Sequence, residues 1–443
     1  MAEQWKMVIP CLLGIEGLVG DELRAMEAQN VEPQNGRVFF TGDASMLARA
    51  NLGSRYGERV LIELGSFEAR SFEELFQGVK ALPWEQWIEK EDAFPVKGRS
   101  LNSKLASVPD CQSIIKKAVV ERLKGKYHLN WFEETGTLHQ IQFLIMKDHV
   151  SVMLDTSGAG LHKRGYRANS TEAPIKETLA AAMAYLSRVR RDGIVIDPFC
   201  GSGTILVESA LYAKNIAPGL QRSFTAERWK NIPSAVWQQE RARARDLVCR
   251  DASFTGYGYD IDGAAVNLTL ENARKAGVIS CIHAEKRDVA DFQPLGERGD
   301  VICNPPYGER LLDIRAAEEL YRTMGKVFTP KKKWSYNIIS PDETFEECYG
   351  RKADRRRKLY NGMIKCQFYM YYKSGILQMD SQSATAKAAG CRSRNARRGL
   401  EISGRVCGKA FIAHAAGCRS NGLKPPYFVD SPWKSGPALH ISG

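Results

Sequence analysis

The chain has 443 residues, 44% of them hydrophobic and 26% charged, with a formal net charge of +12. That length calls for two or three domains, and no run approaches the ~18 apolar residues of a membrane span. The eleven cysteines are odd in number without a C-x-x-C pair, and the seven histidines form no H-E-x-x-H. This argues against a disulfide framework or a metal centre and fits free thiols in a reducing cytoplasm.

The N-terminus has no basic segment leading to a small-residue cleavage site, so it reads as folded chain. Residues 1–65 read as strand 5–9, helix 17–28, strand 37–41, helix 44–51 and strand 59–67, a small α/β unit. Residues 66–157 repeat the style. Ser71 with Glu74 three residues on is a capping-box pattern. A strand-like segment at 93–100, a helix at 110–125 and strands near 138–146 and 149–155 follow. The helix spaces Ile114, Ile115, Ala118, Val119 and Leu123 along one face. Between Lys97 and Lys126 stand eight Lys and Arg against two acids, which invites a nucleic-acid reading.

From about Thr171 the alternation lengthens: helix 174–189, strand 193–197, helix 204–214, an insertion, then strand 256–260. Helix 263–276, strands 282–288 and 300–303, helix 316–327 and strand 334–340 come next. Asn361-Gly362 between two apolar runs marks a closing hairpin. Strands alternating with helices imply a mostly parallel, doubly wound sheet. Residues 374–443 hold ten Lys and Arg against three acids, so +7 of the +12 lies there and +5 on residues 1–373. This tail is rich in Gly, Ser and Ala, repeats AAGCRS, and lacks sustained apolar periodicity. It reads as disordered or loosely packed, an extension or an out-of-frame read-through.

Three stretches carry chemistry. In "IVIDPFCGSGTIL", Gly201 and Gly203 let the backbone turn sharply between a buried strand and the helix N-terminus at Thr204. Position 206 is Leu, so the third glycine of a dinucleotide fingerprint is missing. Asp197 would repel a pyrophosphate, whereas it suits a ligand carrying an ammonium. In "GYDIDGAAV", Asp260 ends a strand where a carboxylate accepts both ribose hydroxyls, and Asp262 reads as the helix cap. In "HAEKRDVADF", Asp288 is placed to accept an adenine amino group. Three acids along one sheet edge favour a nucleoside site over three solvated turns.

"NPPYGER" follows the next strand on the same edge. Pro305 and Pro306 have fixed φ and no N–H, so the turn is stiff. The Asn304 side-chain oxygen and the Pro305 carbonyl together suit both hydrogens of an exocyclic amine, and Tyr307 offers a stacking face. Orientation and fixed dipoles then replace a charged base.

Together "DPFCGSGT", "GYDID" and "NPPYGER" resemble class I S-adenosylmethionine-dependent methyltransferases of exocyclic base amines. With "LHKRGYR" and "APIKETLAAA" upstream, the order resembles the bacterial large-subunit (23S) rRNA guanine-N2 methyltransferases, elsewhere labelled N6-adenine DNA methylases. "SKLASVPDCQSIIKKAVVERL" resembles a THUMP RNA-binding domain. The resemblance covers residues 1 to about 373. It implies a Rossmann-like catalytic domain at 158–373, preceded by ferredoxin-like (1–65) and THUMP (66–157) domains. It implies S-adenosylmethionine held by Asp197, Pro198, Phe199, Gly201, Gly203, Thr204, Asp260, Ile261, Asp288, Val289 and Asn304, and a target base held by Asn304, Pro305 and Tyr307. Lys97, Lys104, Lys116, Lys117, Arg164 and Arg167 are the expected RNA contacts. Structured RNA, rRNA foremost, is the expected partner, without membrane or metal. Adenine-N6 methylation of DNA or RNA, tRNA guanine-N2 methylation and a non-catalytic RNA-binding assembly factor stand as alternatives.

Overall fold

A computed structural model describes residues 3–167, 175–307 and 311–372, with backbone only for 311–313. The tail at 374–443, Gly308–Arg310 of the NPPYGER stretch and Ala173-Pro174 lie outside the described residues.

The N-terminal half contains β1 (Trp5–Pro10), α1 (Glu16–Ala25), β2 (Gln29–Gln34), β3 (Arg37–Gly42), α2 (Ala44–Gly53) and β4 (Leu61–Glu68). It continues with α3 (Phe72–Lys80), β5 (Val96–Leu101), α4 (Val108–Tyr127), β6 (Ile141–Met146) and β7 (His149–Asp155). These seven strands form one sheet in the order β2-β3-β1-β4-β7-β6-β5. Only β5 and β6 pair in parallel. β4 pairs with β1 on one side and β7 on the other, so one strand carries the sheet from its first part into its second. The sequence reading has no strand at β2. Its residues QNVEPQ include a proline, lack alternation and are mostly exposed, as an outermost strand tolerates.

α4 starts earlier than its apolar stripe because Ser107 caps it, accepting the Asp110 N–H, with Pro109 in the first turn. Its buried face is Cys111, Ile115, Ala118, Val119 and Leu123. α3 has the full capping box of Ser71 and Glu74.

The second half holds α5 (Glu177–Leu186), β8 (Ile194–Asp197), α6 (Thr204–Ala213), α7 (Ser234–Asp246), β9 (Thr255–Asp260), α8 (Gly263–Lys275), β10 (Ile282–Lys286) and β11 (Gly299–Cys303). Then come α9 (Leu311–Val327), β12 (Trp334–Ser340), α10 (Phe345–Tyr349), β13 (Arg355–Asn361) and β14 (Ile364–Tyr371). The sheet order is β10-β9-β8-β11-β12-β14-β13, parallel except for β14 against its two neighbours. The chain winds outward in both directions from β8 and β11, which makes the gap beyond their carboxyl ends the switch point where ligands bind. Asn361 pairs with Ile364, so the hairpin loop is Gly362-Met363, one residue later than the Asn361-Gly362 turn expected. Only Gly362 has positive φ (64°), as a turn with glycine at its first central position requires.

α7 fills the insertion. It escapes a periodicity search because it buries only Trp237 and Glu240. Glu240 accepts two hydrogen bonds from Arg49 of α2, at 2.7 and 3.0 Å, and so ties the two halves together. Trp229 adds a second tie: its Nε1 donates to the Leu138 carbonyl at 3.0 Å and its ring stacks on His139 at 4.5 Å. Among the described residues, no helix is long and apolar enough to cross a membrane.

Candidate active site

β8 ends at Asp197 and β9 at Asp260, neighbouring strands in register, so the two carboxylates share one sheet edge. β11 lies on the other side of β8 and delivers Asn304 immediately after its last residue. Asp288 comes two residues after β10 and accepts the Ala290 N–H at 2.8 Å, capping a short 3-10 turn. These loops enclose a cavity of about 720 Å³. Asp197, Pro198, Phe199, Gly201, Thr204, Asp260, Ile261, Asp288, Val289, Asn304, Pro305 and Tyr307 all line it. Gly203 stands just behind, inside the glycine turn.

That turn is held from both sides. Asp260 accepts the Gly201 N–H at 2.9 Å and, through its other oxygen, the Asp262 N–H at 3.0 Å. Behind the turn, Thr269 donates to the Gly201 carbonyl at 2.9 Å and Asn272 to the Ser202 carbonyl at 2.8 Å. Gly203 has φ +75°, and a Cβ there would lie 2.7 Å from the Thr269 Cγ2. Glycine is therefore required both for its backbone conformation and for the approach of α8. Thr269 and Asn272 were not anticipated. Their signal was two polar residues three apart on the apolar face of a helix, where the backbone carbonyls of the turn supply their partners. Asp262 caps α8 by accepting the Ala264 N–H at 2.9 Å.

Asp197 is fully buried. Loss of hydration pushes its carboxyl up to about 8, against the lowering effect of the Phe199 N–H at 3.1 Å, with the nearby Asp260 charge adding to the rise. A cation placed beside it would restore its ionised form. Burial also drives the Cys200 thiol well above its ordinary value, so this cavity-lining sulfur stays protonated and is no nucleophile. Tyr307 is half-buried, and its hydroxyl accepts the Asn361 side-chain N–H at 3.0 Å.

The cavity has room for a nucleoside with an amino-acid arm, carboxylates for its hydroxyls and amines, and one carboxyl waiting for a positive charge. Residues 164–370 match the family described as RMKL-like, methyltransferase domain; 6–61 match the RlmL ferredoxin-like domain and 69–155 the THUMP domain. The "Putative RNA methyltransferase YpsC" of Bacillus subtilis (strain 168) is 43% identical over 373 residues, 84% of this chain and 96% of that protein. The chain belongs to this THUMP-containing, RMKL-like methyltransferase family.

The crystal structure of SMU.472 complexed with SAH is 41% identical, with a TM-score of 0.80 over 84% of this chain and 99% of that one. The "Ribosomal RNA large subunit methyltransferase K/L" of Shewanella amazonensis (strain ATCC BAA-1098 / SB2B) is 32% identical over 373 residues. This methyltransferase spans 81% of its own length in that match but only 52% of the K/L protein. Its cofactor is S-adenosylmethionine.

The expected RNA contacts divide. Lys97, Lys104 and Lys117 are exposed. Lys116 is not a free surface cation: it ion-pairs with Glu134, donates to the Phe94 carbonyl at 3.1 Å and lies 3.5 Å from the Phe94 ring centroid. Arg164 is 3% exposed, donating to Glu208 at 3.4 Å through two nitrogens and to the Leu161 and Arg55 carbonyls. Its guanidinium is consumed inside the junction between the two halves, out of reach of a phosphate. Arg167 donates to the Thr204 hydroxyl at 2.8 Å and to the Ile175 carbonyl at 2.9 Å. It braces the start of α6, next to the glycine turn, rather than facing outward.

Proposed function

We propose that the chain transfers a methyl group to the exocyclic N2 amine of a guanine in structured RNA, with large-subunit rRNA as the substrate. The observation that carries this is the meeting of Asn304-Pro305-Pro306-Tyr307 with Asp197, Asp260 and Asp288 in one cavity. The K/L protein is named for methylation of large-subunit rRNA and YpsC for methylation of RNA, which supports the substrate class.

S-adenosylmethionine, when bound, supplies a methyl group on a positively charged sulfur. Asp260 accepts the ribose hydroxyls while its backbone bonds hold Gly201 in place. Asp288 accepts the adenine amine, and Asp197 takes the ammonium. On the other wall, the Asn304 oxygen and the Pro305 carbonyl accept the two hydrogens of the target amine, and Tyr307 stacks on the base. An aryl amine is a poor nucleophile because its lone pair is delocalised into the ring. Two fixed acceptors direct that lone pair outward and stabilise the positive charge that develops on nitrogen. The proton lost from the methylated nitrogen then passes along these hydrogen bonds to solvent water, without a charged base.

The test is methyl transfer from labelled S-adenosylmethionine to rRNA, tRNA and DNA, followed by nucleoside analysis. N2-methylguanosine in large-subunit rRNA is expected. N6-methyladenine, in DNA or RNA, would overturn the base assignment.

A further inference from the structure

Residues 351–358 hold six Lys and Arg against one acid, the densest cationic run of the catalytic half. Three of the six serve the fold. Arg351 donates to the Phe328 carbonyl at 2.6 Å, Arg356 ion-pairs with Glu346, and Arg357 donates to the Gly14 carbonyl at 2.7 Å. The acid, Asp354, accepts the Tyr372 N–H at 2.6 Å. Lys352, Arg355 and Lys358 are exposed, and among the described residues no carboxylate pairs with them. Arg355 and Lys358 are three apart on β13, so they leave the strand on opposite faces and make its edge basic.

β13 leads from these cations to the hairpin tip. There Asn361 holds the Tyr307 hydroxyl, so the tip stands against the wall of the active-site cavity. The next loop residue but one, Met363, is 97% exposed. Among the described residues it covers nothing.

Outermost strands often carry charge to block pairing with another sheet, and β13 is outermost. That explanation is weak here for two reasons. The strand is already covered at its centre, where a Cβ on Gly14 would lie 2.7 Å from the Lys358 carbonyl. Nor does edge protection account for an uncovered methionine at the tip.

We propose that the β13–β14 hairpin seats the RNA beside the target nucleotide. Lys352, Arg355 and Lys358 hold phosphates of the substrate strand, and Met363 packs on a base next to the one that is methylated. The inference rests on the RNA-methyltransferase reading above.

Two variants of the full chain test it: the triple K352Q/R355Q/K358Q, and Met363→Ser. Binding to the methylated rRNA is measured across a salt series, alongside turnover, S-adenosylhomocysteine affinity and sedimentation. The triple variant is expected to lower the slope of log affinity against log salt by about two units. Turnover at saturating RNA and S-adenosylhomocysteine affinity should stay at the wild-type level. Met363→Ser is expected to weaken RNA binding about tenfold while keeping the wild-type slope, as loss of one buried apolar contact does. Unchanged RNA affinity and slope in both variants overturns the proposal, and self-association of the triple variant would then identify the cations as edge guards. Wild-type protein that methylates no RNA would instead sink the underlying function. Wild-type activity with fully competent variants sinks only the role of the hairpin.

Discussion

Asp260 accepts the backbone N–H of Gly201, 59 residues earlier in the chain, at 2.9 Å. The carboxylate proposed to grip the ribose therefore also shapes the glycine turn that lines the same cavity. Asp260→Ala should lower S-adenosylhomocysteine affinity by about 1.5–3 kcal/mol, the usual loss for a charged hydrogen-bond partner. Asp262→Ala should instead cost about 1 kcal/mol of stability through the lost helix cap, with little change in affinity. Calorimetry and thermal denaturation on both variants separate the two roles, and the reverse pattern would exchange them.

Asp197 gives the site a pH dependence. In the ligand-free protein its pKa stands near 8, raised by burial, so between the ordinary carboxylate range and pH 8 folding opposes its ionisation. The stability it contributes is present at low pH and is lost as pH rises through that value. A ligand ammonium favours the ionised form, so binding below pH 8 should expel a proton. From pH 6 to 7.5 the affinity for S-adenosylhomocysteine should climb, approaching about tenfold per pH unit. Calorimetry in buffers of differing ionisation enthalpy should register the proton release, and Asp197→Asn should abolish it. A wild-type affinity that is flat over this range contradicts the contact.

Asn304→Ala should leave cofactor binding intact and slow methyl transfer by about 10²–10³, the cost of one preorganised group at a reacting centre. Single-turnover measurements with bound RNA isolate that step. Near-normal turnover would remove Asn304 from the chemistry.

Arg164 should behave as part of the core. Arg164→Met strands the buried Glu208 carboxylate, and breaking such a pair costs about 3–5 kcal/mol. A large fall in Tm with an unchanged salt slope for RNA binding is the expected result. A normal Tm with weakened RNA binding would return Arg164 to the surface role first given to it.

Adjacent lysines on α4 should part company. Lys117→Gln should reduce the salt slope of RNA binding by about one unit, as for a lost phosphate contact. Lys116→Gln should lower Tm, because its ammonium serves Glu134 and Phe94. Identical effects on RNA binding would show that both face the nucleic acid.

The acids, the glycine turn and the proline turn were legible in the sequence because each is local: a strand end followed at once by the residues that bend the chain and line the cavity. The strand–helix alternation announced the catalytic sheet in the same way. Two kinds of feature were not local. Polar or unpatterned segments, such as β2 and α7, form because neighbouring elements complete them, and their own periodicity carries little of that information. The destination of a cation is likewise set by tertiary packing. Lys116 and Lys117, or Arg356 and Lys358, are equally basic as letters, yet one of each pair turns to a carboxylate and the other to solvent. Sequence determined which chemical groups stand at the sheet edge, because strand period and turn stiffness act within a few residues. Only the fold decided which charges remain outside, because a charge left without water must find its partner wherever the chain has brought one.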